Sequence, residues 1–213
     1  MDGLLFDTET LYAETILTAA AEVGCAMSRD VFRQLVGRSR ELNHRFLLEH
    51  YGADYPLTAL IATWGRHFEA LAVAGLPLKP GAAELLDLLD ELQLSWAIAT
   101  SNSHATVRRH LVAHGLTDRF HGVVAHGDYA NGKPAPDPFL KAAEQLGVAP
   151  ALCLALEDSH NGVRSASAAG MMTIMVPDLI PPTEEIHGLC TLVVDDLHAV
   201  CRLVDAGRRR CGS

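Results

Sequence analysis

Two textures divide the chain. From about residue 10 to 77, apolar residues recur at helical spacing, with Tyr12, Ile16, Ala20 and Val23 in one stretch. Stretches 31–36, 42–51 and 57–71 continue the pattern, and Gly24, Gly37, Gly52 and Gly75 fall near their ends, where a left-handed cap residue is wanted. This half predicts a small helical bundle. From about residue 80, short apolar runs alternate with amphipathic ones. Strands are predicted at 94–99, 123–125, 152–156 and 172–176, with a short last one at 192–194. Helices are predicted from Pro80-Gly81 to residue 92, at 103–114, at 137–146 with Asp137 as cap and Pro138 in first position, at 161–169 and at the end of the chain. Strands alternating with helices imply a parallel sheet covered on both faces. Ligands of such sheets bind beyond the carboxyl ends of the strands, so the chemistry is expected just after each strand.

Composition narrows the class without changing this picture. A chain of 213 residues buries one core, or one core plus a small appended domain. Its 49% hydrophobic and 20% charged content is globular, and no apolar run approaches the roughly 20 residues of a membrane helix. The start, Met1-Asp2-Gly3-Leu4, has neither a basic region nor a cleavage pattern, so no secretory signal is expected. The five cysteines are scattered and odd in number, which suits reduced thiols and a cytoplasmic location better than a disulfide framework or a zinc site. A net charge of −9 argues against nucleic acid as a partner, and Arg208-Arg209-Arg210 reads as a solvated tail. Neither nucleic acid nor membrane is expected to bind, and a monomer is expected.

Three predicted strands end on chemistry. After 94–99 comes Thr100-Ser101-Asn102-Ser103, opening a helix. Hydroxyls and free N–H groups there make a phosphate site, although the same residues are also ordinary caps. After 123–125 comes Gly132-Lys133-Pro134-Ala135-Pro136-Asp137, where two prolines hold one of only three lysines in the chain. A fixed ammonium is what a transferring phosphoryl group needs, whereas a surface lysine would be free to move. After 152–156 comes Glu157-Asp158-Ser159-His160-Asn161-Gly162. Adjacent carboxylates repel unless a cation sits beside them, and hard oxygens without nearby Cys or paired His favour Mg²⁺. A helix cap on Asp158 or Ser159 is compatible with that reading. Cys25 and His104 are explained by packing and solvent exposure.

In order along the chain, MDGLLFDTE, ATSNS, GKPAPDPF and LEDSHNGVRSASAAGM resemble the haloacid dehalogenase-like superfamily, in particular its β-phosphoglucomutase-like phosphatase branch. The resemblance covers nearly the whole chain. It implies an α/β fold with a Rossmann-like parallel-sheet core (1–9 and 78–213) and a small helical cap domain (10–77) inserted after the first motif. It implies a Mg²⁺-dependent phosphatase acting on small phosphorylated metabolites through an aspartyl-phosphate. The first aspartate of an Asp-x-Asp-Gly motif would be the nucleophile. Asp2, the second, would protonate the leaving oxygen, activate water and lend a backbone carbonyl to the metal. Glu157 and Asp158 would complete the metal site. Thr100, Ser101, Asn102 and Lys133 would bind the phosphoryl group, and residues 7–9 would belong to the hinge. Met1 occupies x, so the nucleophile would lie one position before residue 1, together with a central first strand. The chain as written is then expected to be inactive, poorly folded, or both.

Within the superfamily, Asp2, Glu157 and Asp158 argue against a metal-free dehalogenase. The absence of lysine between residues 10 and 78 argues against a phosphonoacetaldehyde hydrolase, which uses a cap lysine. Val36-Gly37-Arg38-Ser39-Arg40-Glu41 resembles the specificity loop of β-phosphoglucomutase, with Arg40 as the grip on a second phosphate. Sugar-phosphate hydrolysis leads. A phosphosugar mutase and a non-catalytic phosphate- or partner-binding relative are the alternatives.

Overall fold

The computed structural model describes residues 1–35, 40–74 and 76–211. The chain separates into two compact units, Thr8–Leu76 on the one hand and Met1–Asp7 with Pro77–Ser213 on the other.

The unit Thr8–Leu76 is helical: α1 (Thr8–Glu22), α2 (Arg29–Leu35), α3 (Arg40–Tyr51) and α4 (Leu57–Ala74). Its own core includes Ile16, Ala20, Val31, Phe32, Leu47 and Leu60, side chains on the inward stripes of these helices. Trp64 Nε1 donates to Thr15 Oγ1 at 3.0 Å, and that hydroxyl donates to the Leu11 carbonyl at 2.7 Å. A buried hydroxyl is thereby satisfied in both roles. Arg40 opens α3, but its side chain lies outside the described residues, as do 36–39 of the loop before it.

The larger unit alternates strand and helix: α5 (Ala82–Glu91), β1 (Ala97–Ser103), α6 (His104–Ala113), β2 (Gly122–His126), α7 (Asp137–Leu146), β3 (Leu154–Glu157), α8 (His160–Ala168), β4 (Met172–Met175), α9 (Glu184–Leu189), β5 (Leu192–Val193) and α10 (Leu197–Cys211). All pairings between these strands are parallel. α7 packs on β1 and β2, α8 on β3 and β4, and α5 against α10. The class is α/β, as the alternation required.

Three local details differ from the sequence expectation. β1 starts later and runs on through Ser103, because after a register shift Ser103 still pairs with His126 of β2. Asp137 does not cap α7. Pro136 holds the cap position without a side-chain bond, while the Asp137 carboxylate accepts from Asn131 N at 3.0 Å and Asn131 Nδ2 at 3.1 Å. A carboxylate that closes the preceding loop is not free to cap. Finally, the strands form two sheets rather than one, β1-β2 and β3-β4-β5. Between β1 and β3 lies an apolar slot of about 500 Å³, lined by Ile98, Ala99 and Leu156 from the strands and by Leu86, Phe139 and Val200 from helices.

The segments on either side of the helical unit are tied together. Phe6 and Leu78 form an antiparallel bridge, Asp7 N donates to Pro77 O at 2.8 Å, and Lys79 N donates to Leu5 O at 3.0 Å. Phe6 is fully buried, its ring 5.5 Å from that of His110 and 5.3 Å from that of His114. Among the described residues no helix is long and apolar enough to cross a membrane.

Candidate active site

The opening residues fold into a tight loop. The Met1 carbonyl accepts from Leu5 N at 2.8 Å and from Phe6 N at 3.1 Å, and Gly3 takes a left-handed φ of 67°. That conformation favours glycine, and here space demands it as well. A Cβ on Gly3 would collide with the Asp158 carboxylate and lie 3.0 Å from Asp178 Oδ2. The close approach brings the loop onto the end of β3. Asp2 is anchored from the β1 side, its Oδ2 accepting from Asn102 Nδ2 at 2.6 Å.

Midway along β1 the Thr100 side chain is buried, and its Oγ1 accepts from Asn102 N at 3.2 Å. The Thr100 carbonyl accepts from the Tyr129 hydroxyl at 3.1 Å, tying β1 to the segment after β2. Ser101 is exposed, and Ser103 caps α6 by accepting from Thr106 N at 3.3 Å. Asn102, expected to bind phosphate, donates to the Asp2 carboxylate.

Lys133 is held by its surroundings. The Ser165 hydroxyl donates to the Ala135 carbonyl at 2.5 Å, pinning its loop to α8. The ammonium lies 4.9 Å from the centre of the Phe139 ring, donates to the Ala99 carbonyl at 3.0 Å and forms an ion pair with Glu157. One side chain therefore spans from β1 to β3.

Glu157 is 4% exposed. Its Oε2 accepts from Ser159 Oγ and from Asp158 N, both at 3.2 Å. Burial pushes this carboxyl upward, but the Lys133 ammonium, the positive charge at Met1 and the hydrogen bonds outweigh it and hold the group below its ordinary range. Its neighbour behaves oppositely: burial, and then the negative charge of Glu157, push Asp158 up to about 7. A carboxylate reluctant to ionise beside an ionised one marks a place short of positive charge. Among the described residues no three acids, histidines or cysteines stand together as a metal cage. Two adjoining hard-oxygen carboxylates nevertheless fit Mg²⁺, which commonly takes one or two from the protein and keeps several waters. Gly162 makes room for the Glu157 carboxylate, into which a Cβ there would run. Ser159 caps α8 by accepting from Gly162 N at 3.1 Å.

The structure thus gathers Asp2, Thr100, Asn102, Lys133, Glu157 and Asp158 around the carboxyl ends of β1 and β3. Ser101 lies on the same strand as Thr100. Arg40 belongs to the helical unit, and its side chain is outside the described residues. Sequence reasoning missed the spacing role of Gly3 and Gly162, although both stood inside quoted motifs. It also missed the Tyr129 tether and a second acid–lysine pair beside the loop. Lys79 Nζ lies 2.7 Å from Asp178 Oδ1 and 3.9 Å from Asp7 Oδ1. Asp178 carried no sequence signal.

A parallel α/β core with acids and a lysine gathered beside β1 and β3 is the frame within which comparison with known proteins places the chain. Residues 1–176 match the pattern of haloacid dehalogenase-like hydrolases, and the chain belongs to that family. It is 36% identical over 203 residues to the plasmid protein CbbY of Cupriavidus necator, covering 88% of this chain and 80% of that one. It is 37% identical over 185 residues to a probable pseudouridine-5'-phosphatase of Drosophila melanogaster, covering 84% and 79%. Among solved structures, a CbbY mutant from Rhodobacter sphaeroides in complex with xylulose-(1,5)bisphosphate superposes with a TM-score of 0.69 at 28% identity, over 92% of each chain.

Proposed function

We propose that the protein is a Mg²⁺-dependent phosphatase of small sugar-phosphate-like metabolites, working in the cytoplasm as a monomer. The observation that carries this reading is the convergence of the Asp2, Lys133, Glu157 and Asp158 side chains, with Thr100 of β1, around β1 and β3. The phosphatase relatives and the sugar bisphosphate bound to the CbbY mutant support the substrate class. The free thiols of Cys25, Cys153, Cys190 and Cys201 suit a reducing compartment.

In this proposal the nucleophile is an aspartate one position before Met1. Its carboxylate oxygen bonds to phosphorus as the ester P–O bond breaks, and Asp2 gives its proton to the departing alkoxide. Asp2, now a carboxylate, takes a proton from water whose oxygen bonds to phosphorus. The acyl-phosphate P–O bond then breaks, releasing phosphate and restoring the aspartate. Thr100 and the Ser101 N–H hold phosphoryl oxygens, and Lys133 offsets their charge. Asp158, Glu157 and the Asp2 carbonyl would hold Mg²⁺, which supplies further positive charge to the phosphoryl group. Residues 8–76 act as the cap, where Arg40 would grip a second phosphate.

The test is p-nitrophenyl phosphate hydrolysis by this chain and by one extended upstream with an apolar strand and an aspartate. Turnover by the extended chain alone, abolished by chelation, is expected. An extended chain that folds and binds Mg²⁺ but hydrolyses neither this ester nor a panel of sugar phosphates overturns the reading.

A further inference from the structure

Asp158 follows the end of β3, and Asp178 follows the end of β4. The parallel pairing of these strands continues one step past β4, where Val176 N donates to the Glu157 carbonyl at 2.8 Å. Asp178 comes two residues later, so both acids leave the sheet at its carboxyl end, where such sheets bind their ligands. Their carboxylates flank one point. The place that a Cβ on Gly3 would take is overlapped by the Asp158 carboxylate and lies 3.0 Å from Asp178 Oδ2.

The two oxygens of Asp178 are in different situations. Oδ1 accepts from Lys79 Nζ at 2.7 Å, an ammonium that also lies 3.9 Å from Asp7 Oδ1. Oδ2 is buried and has no hydrogen-bond partner among the described residues. With only 10% of the side chain exposed, an acceptor oxygen without a donor is costly. Lys79 fixes one oxygen, and the unpartnered one faces Gly3 and the Asp158 carboxylate.

Charge points the same way. Asp2, Asp7, Glu157, Asp158 and Asp178 gather here with two lysines, Lys79 and Lys133. Lys133 pairs with Glu157 and Lys79 with Asp178, while Asp2 is held by a neutral amide. A hard divalent cation suits such a set of oxygens. Among the described residues no three acids stand close enough to cage an ion directly, so a third carboxylate acts at one remove.

We propose that Asp178 is an outer residue of the Mg²⁺ site: Lys79 holds its Oδ1, and its Oδ2 accepts a hydrogen bond from a water on the ion that Asp158 ligates. The inference rests on the metal site of the phosphatase reading. Mg²⁺ keeps several waters and gives them up reluctantly, whereas Ca²⁺ takes more oxygens directly. A fixed acceptor for one of those waters therefore favours Mg²⁺ over Ca²⁺.

The experiment titrates Mg²⁺ and Ca²⁺ calorimetrically into this chain, Asp178→Asn and Lys79→Met. Asp178→Asn keeps an oxygen for Lys79 but loses the charge. It is expected to weaken Mg²⁺ binding by about 10- to 100-fold and Ca²⁺ binding clearly less. Lys79→Met breaks the same ion pair but leaves the carboxylate charged, so Mg²⁺ binding should not weaken. Equal losses in the two variants would make the pair a structural tie and overturn the proposal. Equal losses for the two ions in Asp178→Asn also overturn it, because charge acting at a distance treats both alike. If Asp178→Asn does not fold, Lys79→Met/Asp178→Asn leaves no unpaired buried charge and is compared with Lys79→Met, with the same expectation. A parent chain that binds no Mg²⁺ overturns the metal reading and this inference together. Mg²⁺ binding that Asp178→Asn leaves unchanged overturns the inference alone.

Discussion

Asn102 donates from Nδ2 to Oδ2 of Asp2 across 2.6 Å, joining residues 100 positions apart. The amide holds one oxygen of the Asp2 carboxylate. Asn102 is therefore a positioning residue for the proposed proton donor. In the chain carrying the upstream aspartate, Asn102→Ala is expected to lower kcat by about 10- to 100-fold through misplacement of Asp2. KM should change little, since the proposed phosphoryl contacts of Thr100 and Lys133 are left in place. Steady-state kinetics decide the matter, and an unchanged kcat would remove Asn102 from this role.

The Lys133–Glu157 pair is deeply enclosed, with 12% and 5% of its side chains exposed. Lys133→Met strands a buried carboxylate and is expected to cost about 3–5 kcal/mol in urea denaturation. Adding Glu157→Gln to it should return a large part of that loss, because no unpaired charge remains. A double variant as unstable as the single one would mean that Lys133 matters through packing rather than charge.

Two glycines in helices should respond with opposite signs. At Gly65, in the middle of α4, nothing lies within 4 Å of an added Cβ. Gly65→Ala is expected to stabilise by about 0.5–1 kcal/mol. At Gly162, in α8, the Cβ meets the Glu157 carboxylate, and Gly162→Ala is expected to destabilise by about 1–3 kcal/mol. Thermal melts of both variants test the pair, and a stabilising Gly162→Ala would show that the acid site yields freely.

His110 adds an acid sensitivity that the catalytic groups do not explain. Burial lowers its proton affinity; Asp2 opposes this, while Arg109 and His114 reinforce it. Its Nδ1 has no hydrogen-bond partner. The unfolded chain then binds this proton at a higher pH than the folded one. Stability from this group is full above about pH 6.5 and falls as the pH drops below it. Tm measured from pH 7.5 downward should decline, and His110→Leu should flatten the decline between about pH 6.5 and 5. An unaltered slope would assign the acid sensitivity to other groups.

Most of the fold was legible because its signals are local. Strand and helix periods gave the alternation, and the motifs fell at strand ends, where a parallel sheet puts its chemistry. What escaped depends on atoms distant in sequence. The amide of Asn102 turns to Asp2 rather than outward because a loop 100 positions away arrives there. Asp137 closes a loop onto Asn131 instead of capping, a choice no propensity encodes. The division of the sheet is a property of which edges meet, and composition cannot express it. Asp178 became visible only through Lys79 and Gly3.

The short ribbon formed by Phe6 and Leu78 has an architectural consequence. Chain leaving the larger unit at Asp7 returns at Pro77 as an immediate backbone neighbour, the two joined by a hydrogen bond of 2.8 Å. The intervening residues make a closed excursion that begins and ends on this ribbon. Such a junction works as a socket. An insert of different length or shape whose ends lie equally close can take the place of residues 8–76 without breaking the ribbon.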